Sequence, residues 1–81
     1  MNLNVQLFAV ARDWAGRDQI PLELPADATV ERLRRELDRV VPRLAESGVR
    51  FRIAVNDEFA ADHQQLHEND SIALIPPVSG G

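Results

Sequence analysis

The segment PPVSGG, Pro76 to Gly81, sets two prolines and then two glycines behind the strand-like run SIALI. Pro76 and Pro77 lack amide hydrogens and favour an extended, polyproline-like course, so this arm should leave its domain stiffly and not fold back. At about 3.1 to 3.3 Å per residue it would reach roughly 20 Å. Gly80 and Gly81 carry no Cβ. A carboxylate on Gly81 could therefore pass through a channel too narrow for any other residue and meet chemistry inside a partner.

The rest of the chain offers little competing chemistry. It contains no cysteine, which excludes disulfides, a Cys-ligated zinc site and a Cys nucleophile together. All nine cationic side chains are Arg and none is Lys, so no side-chain amine is available for acylation. His63 and His67 are four apart and would share one face of a regular helix, a spacing that suits a metal. Their stretch is too polar and too poor in apolar periodicity for such a helix, and no third ligand is suitably spaced, so they are expected to be surface residues and no metal site is expected. Ser47, Ser71 and Ser79 have no evident His partner, and no glycine-rich phosphate loop occurs. The chain should therefore have no active site of its own, leaving Gly81 as the place for acyl or sulfur chemistry.

Charge narrows the partners. With a formal net charge of -4 and a pI near 5.0, the chain has the wrong sign for binding phosphate backbones through counterion release, so nucleic acid is not expected. No apolar run approaches the length of a membrane span, and MNLNVQLF lacks the basic start and long apolar centre of a signal peptide. A cytoplasmic location follows as an expectation.

Eighty-one residues allow a single small core, and the apolar pattern shows which elements build it. LNVQLFAV, residues 3 to 10, alternates with Leu3, Val5, Leu7 and Ala9 on one face, which predicts a strand. ARDWAG predicts a short helical turn stopped by Gly16, with Trp14 covering the end of the core. QIPLEL predicts a second strand whose Pro21 confines it to a sheet edge. Val30, Leu33, Leu37, Val40, Val41 and Leu44 recur at helical spacing behind a cap at Thr29 or, second, Asp27, with Arg32, Arg34, Arg35, Glu36, Asp38 and Arg39 as a solvated face. Glu31–Arg35 and a pairing of Arg35 with Asp38 fit the helical spacing. Pro42 should end that helix and open a short turn closing at Gly48. VRFRIAV is a third strand with Val49, Phe51, Ile53 and Val55 inward. NDE is a turn, Phe59 and Ala60 begin a short return strand, and Ser71 to Ile75 is the last strand, with Ile72 and Leu74 inward.

Strand, strand, helix, strand, short strand, strand is the order of a β-grasp. It predicts an α+β fold in which a mixed sheet of four to five strands packs on one main helix, with the first and last strands parallel. Residues 1–75 would form the domain and residues 76–81 the extended tail. If Leu3, Val5 and Leu7 face the helix, Phe8 faces away, and the same alternation turns Ala54 and Ile75 outward. An apolar strip on an acidic protein suggests a docking surface.

LFAVARDWAG, TVERLRREL, AVNDEFA, DHQQLHENDSIALI and above all the closing PPVSGG resemble the family of small subunits of molybdopterin synthase, ubiquitin-like sulfur carriers, nearly from end to end. The resemblance implies that an ATP-dependent activating enzyme adenylates Gly81 and that a sulfur donor converts the acyl adenylate to a thiocarboxylate. The carrier would then dock on the large synthase subunit within a heterotetramer and insert its tail, donating sulfur to a pterin precursor during molybdenum cofactor biosynthesis. It implies that Gly80 is the slender neighbour of the reactive Gly81, that Pro76, Pro77, Val78 and Ser79 line the inserted tail, and that Phe8 and Ile75 belong to the docking face. ATP would be used by the activating partner, covalent sulfur would sit at Gly81, and this chain would bind no cofactor. A carrier for thiamine or another thiolated product, a ubiquitin-like modifier that joins Gly81 to lysines, and an interaction module with an inert tail remain open alternatives.

Overall fold

The structure, a computed structural model, describes residues 1–77. Val78, Ser79, Gly80 and Gly81 lie outside the described residues. Eight elements follow in chain order: β1 (Asn2–Leu7), α1 (Ala9–Ala15), β2 (Gln19–Glu23), α2 (Val30–Val40), α3 (Pro42–Glu46), β3 (Arg52–Val55), β4 (Glu58–Phe59) and β5 (Ile72–Ile75).

The strands form one five-stranded sheet in the order β2-β1-β5-β3-β4. β1 pairs antiparallel with β2, placing Leu3 beside Leu22 and Val5 beside Ile20, and it pairs in parallel with β5, Val5 beside Ile72 and Leu7 beside Leu74. β3 runs antiparallel to β5 and β4. Pro21 lies on the edge strand, where its missing N–H costs no ladder bond. This is the expected β-grasp, with β5, the strand that leads into Pro76, in the middle.

The period-2 pattern buries one sheet face and the helical pattern buries one stripe of α2, so Leu3, Val5, Leu7, Ile53, Ile72 and Leu74 meet Val30, Leu33 and Leu37. Thr29 caps α2 through its Oγ1, which accepts from the Arg32 N–H at 3.4 Å. The two preceding orphan donors are met from further along the chain: Val30 N–H donates to the Gln64 carbonyl and Glu31 N–H to the Asp62 carbonyl. Those bonds pin the polar loop across the helix start. Leu66, the single large apolar residue of ADHQQLHEND, is thereby driven into the core with no solvent exposure.

Several expectations need correction. The first strand ends at Leu7, not Val10, because Ala9 turns the chain with a φ of 50° and α1 begins there. Ala9 is consequently exposed, while Phe8 keeps extended geometry and the outward aim that the alternation gave it. Val40 lies outside the apolar stripe and is exposed, since Pro42 turns the chain and Val41 and Leu44 close the core instead. Arg34 is not simply solvated. Its Nε donates to Asp62 at 2.8 Å and its NH1 to the Phe51 carbonyl at 2.6 Å, clipping α2 to two other segments. On the same helix Glu31 pairs with Arg35 as expected, but Arg39 pairs with Glu36, and β3 begins its ladder at Arg52 rather than Val49.

Candidate functional site

The outer face of the sheet, opposite the helices, carries the residues that the alternation turned outward. In the parallel β1–β5 register Gln6 lies beside Ala73 and Leu7 beside Leu74, so one step further brings Phe8 toward Ile75. In the antiparallel register Ala54 lies beside Ala73 and also beside Phe59 of β4. Phe8, Ala54, Ala73, Ile75 and Phe59 thus line one shallow depression of about 300 Å³, rimmed by Gln6, Asp57 and Ser71. The predicted trio Phe8, Ala54 and Ile75 is brought together. Ala54, Ala73 and Ile75 are half-buried, whereas Phe8 and Phe59 keep 43% and 54% of their surface exposed, which makes the two rings the prominent apolar groups of this face.

Phe59 is the residue that sequence reasoning placed only as the start of a strand. Its signal lay in NDE. Asn56 and Asp57 adopt φ values of 52° and 70°, the pair of positive φ angles that a two-residue hairpin requires, and such a hairpin puts Phe59 directly across from Ala54. Asn56 is held in this geometry from outside the turn: its amide donates to Asp70 at 2.9 Å, and its side-chain oxygen accepts the Ser71 N–H at 2.9 Å. The start of β5 and the β3–β4 hairpin are therefore tied together, and the ring is presented from a fixed turn.

Arg52 completes the face. It pairs with Ile75 across the β3–β5 ladder, and its guanidinium carbon stacks 3.6 Å from the centroid of the Phe59 ring. Pro76 and Pro77 follow Ile75 directly, so the depression adjoins the start of the segment expected to form the tail, Pro76 half-buried and Pro77 exposed. The called tail positions Val78, Ser79 and Gly80, and the reactive position Gly81, lie outside the described residues.

The remaining candidates are dispersed. His63 and His67 are exposed, the latter 3.9 Å through Nδ1 from Asp70, and among the described residues no group of three His, Cys, Asp or Glu side chains is placed to hold a metal. No helix among the described residues is long and apolar enough to cross a membrane. Trp14 is half-buried, edge-on to Phe51 at 6.2 Å with Arg43 stacked over it at 5.1 Å, and closes the end of the core as expected. Glu36, on α2 across the sheet from the depression, has its carboxyl held below the usual range by a hydrogen bond from Arg39 and by the charges of Arg39 and Arg32.

The described part of the chain thus carries an apolar face with the Arg52 guanidinium at one end, and a central strand that leads into Pro76 and Pro77. The molybdopterin synthase sulfur carrier subunit of Dictyostelium discoideum is 38% identical over 80 residues, covering 95% of this chain and 93% of its own. Among solved structures, small archaeal modifier protein 1 of Haloferax volcanii superimposes over the whole of both chains with a TM-score of 0.88 at 28% identity. A chain from the complex of subunits 1 and 2 of molybdopterin-converting factor from Helicobacter pylori does so, again over both whole chains, with a TM-score of 0.68 at 27% identity. Residues 5–81 match the sequence model of the ThiS family, nearly the full length, and the chain belongs to that family.

Proposed function

We propose that this chain is the sulfur carrier subunit of a molybdopterin synthase, with the Gly81 carboxylate as its working group. The observation that carries the reading is the placement of the apolar depression beside the root of the tail, at the end of the central strand. A partner that covers Phe8, Phe59 and Ile75 would receive Pro76-Pro77 next to its own surface. The 38% identity to a molybdopterin synthase sulfur carrier subunit and the likeness to a chain from a two-subunit complex of molybdopterin-converting factor support the large subunit as that partner.

The chemistry follows from the poor electrophilicity of a free carboxylate. An activating enzyme would join Gly81 to the α-phosphate of ATP and release pyrophosphate. A sulfur donor would then displace AMP from the acyl adenylate, leaving a thiocarboxylate that carries the sulfur as a nucleophile into the large subunit. The lack of cysteine fits, since the reactive sulfur would be borne by the backbone end. Untagged protein, a cognate activating enzyme, ATP and a sulfur donor should give a single oxygen-to-sulfur exchange in intact mass, localised to Gly81 by fragmentation. Repeated absence of the exchange with an enzyme proven active on another carrier would overturn the reading.

The likeness to small archaeal modifier protein 1 favours a second reading, in which Gly81 is joined to lysines of other proteins. Conjugates on a denaturing gel that vanish on deletion of Gly81 would support it, and their absence alongside the sulfur exchange would dismiss it.

A further inference from the structure

We infer that Arg52 is a specificity determinant of the docking face, and that its partner presents an Asp or Glu carboxylate to it beside the entrance that takes Pro76. The inference rests on the docking reading above and adds the chemistry of the surface that fits it.

Strand geometry brings the stack about. Phe59 stands opposite Ala54, and Arg52, two residues earlier on the same face of β3, is its diagonal neighbour. The small Ala54 side chain leaves the guanidinium room to lie over the ring at 3.6 Å. Stacking engages only the flat face of the guanidinium. Its N–H donors point out from the edge, where a carboxylate can be bound in plane through two hydrogen bonds. Among the described residues the ion pairs engage Arg34, Arg35, Arg39 and His67, and no carboxylate lies within 4.0 Å of Arg52. The stack also restricts a long side chain before any partner arrives, which lowers the ordering cost on binding.

Position gives the charge its meaning. Arg52 pairs with Ile75, at the tail end of the depression, whereas Asp57 lies at the opposite end, where Asn56 meets Ser71. The apolar face is therefore positive toward the tail and negative away from it, on a chain whose net charge is -4. A partner with an acid near its tail entrance is favoured in the one orientation that delivers the tail. A partner with a cation there meets like charge, and a reversed orientation does too.

The test is calorimetric titration of the purified large subunit of molybdopterin synthase from the same organism with wild type, Arg52→Met, Arg52→Lys and Arg52→Glu, over a range of sodium chloride. Phe8→Asp serves as the control for the face, and thermal unfolding shows that each variant is folded. Arg52→Met should weaken binding about 10- to 30-fold and flatten the dependence of affinity on salt, and Arg52→Lys should recover part of the loss. Arg52→Glu should weaken binding about 100-fold or more at low salt, and its affinity should rise as salt is added, a reversal that a residue merely covering Phe59 would not produce. If Arg52→Met and Arg52→Glu bind as wild type does, with the same salt dependence, while Phe8→Asp is impaired, the docking face stands and the role of Arg52 is refuted. If wild type itself does not bind, the docking reading falls and this inference with it.

Discussion

Replacing Phe59 by alanine should separate docking from folding. A phenylalanine offers about 200 Å² of surface, so a ring that is 54% exposed leaves roughly 110 Å² open to water. Covering that area at about 25 cal/mol per Å² is worth about 2 to 3 kcal/mol, and its loss would weaken affinity for the large subunit roughly 30- to 150-fold. The domain should lose much less. The ring stands on a two-residue edge strand, and its stack with Arg52 contributes about 0.5 to 1 kcal/mol at an exposed site. Calorimetric titration with the large subunit, beside thermal unfolding of the free carrier, measures both quantities. Val40→Ala is the matched control, since Val40 is 43% exposed but lies on α2, across the sheet. Phe59→Ala binding within threefold of wild type, or an equal loss in Val40→Ala, would refute the placement of the docking face.

Leu66→Ala should destabilise the domain by about 3 kcal/mol in urea unfolding, because it empties a fully buried site and loosens the loop whose carbonyls satisfy the first N–H groups of α2. At Ala9, where φ is 50°, a side chain costs about 1 to 2 kcal/mol, so Ala9→Gly should raise the melting temperature or leave it unchanged while Ala9→Val lowers it. Glu36 titrates below its ordinary value of 4.5 in the folded state, so its pairing with Arg39 stabilises above that pH and the contribution is lost as pH falls through the lowered value. Melting curves of wild type and Glu36→Gln should therefore differ at pH 7 and converge once the pH lies below the lowered value. One molar salt should narrow the difference at every pH, since the pair sits at the surface.

How far the sequence could be read depends on whether a residue's surroundings are local to it in the chain. The alternation of Leu3, Val5 and Leu7 and the helical spacing of Val30, Leu33 and Leu37 are set by strand and helix periods, so the elements and most of the core were legible, as was the aim of Phe8. What escaped was decided by contacts between segments far apart. Arg34 looks solvated within α2 and is clipped only because Phe51 and Asp62 arrive from elsewhere. Leu66 stands alone in a polar run, and its burial is fixed by bonds to the start of α2. The candidate site shows the same division. Phe8, Ala54 and Ile75 could be assigned outward from their own strands, but the face they share is completed by Phe59 and Arg52, whose meeting depends on the hairpin register. That register depends in turn on Asn56, which both occupies the turn and is bonded to Asp70 and Ser71. The proposed docking face is therefore coupled to the β5 approach: the loop that leads into β5 also holds the hairpin that presents Phe59 and Arg52, so disturbing Asn56 should misplace Phe59 and Arg52 together while leaving Phe8 where β1 sets it.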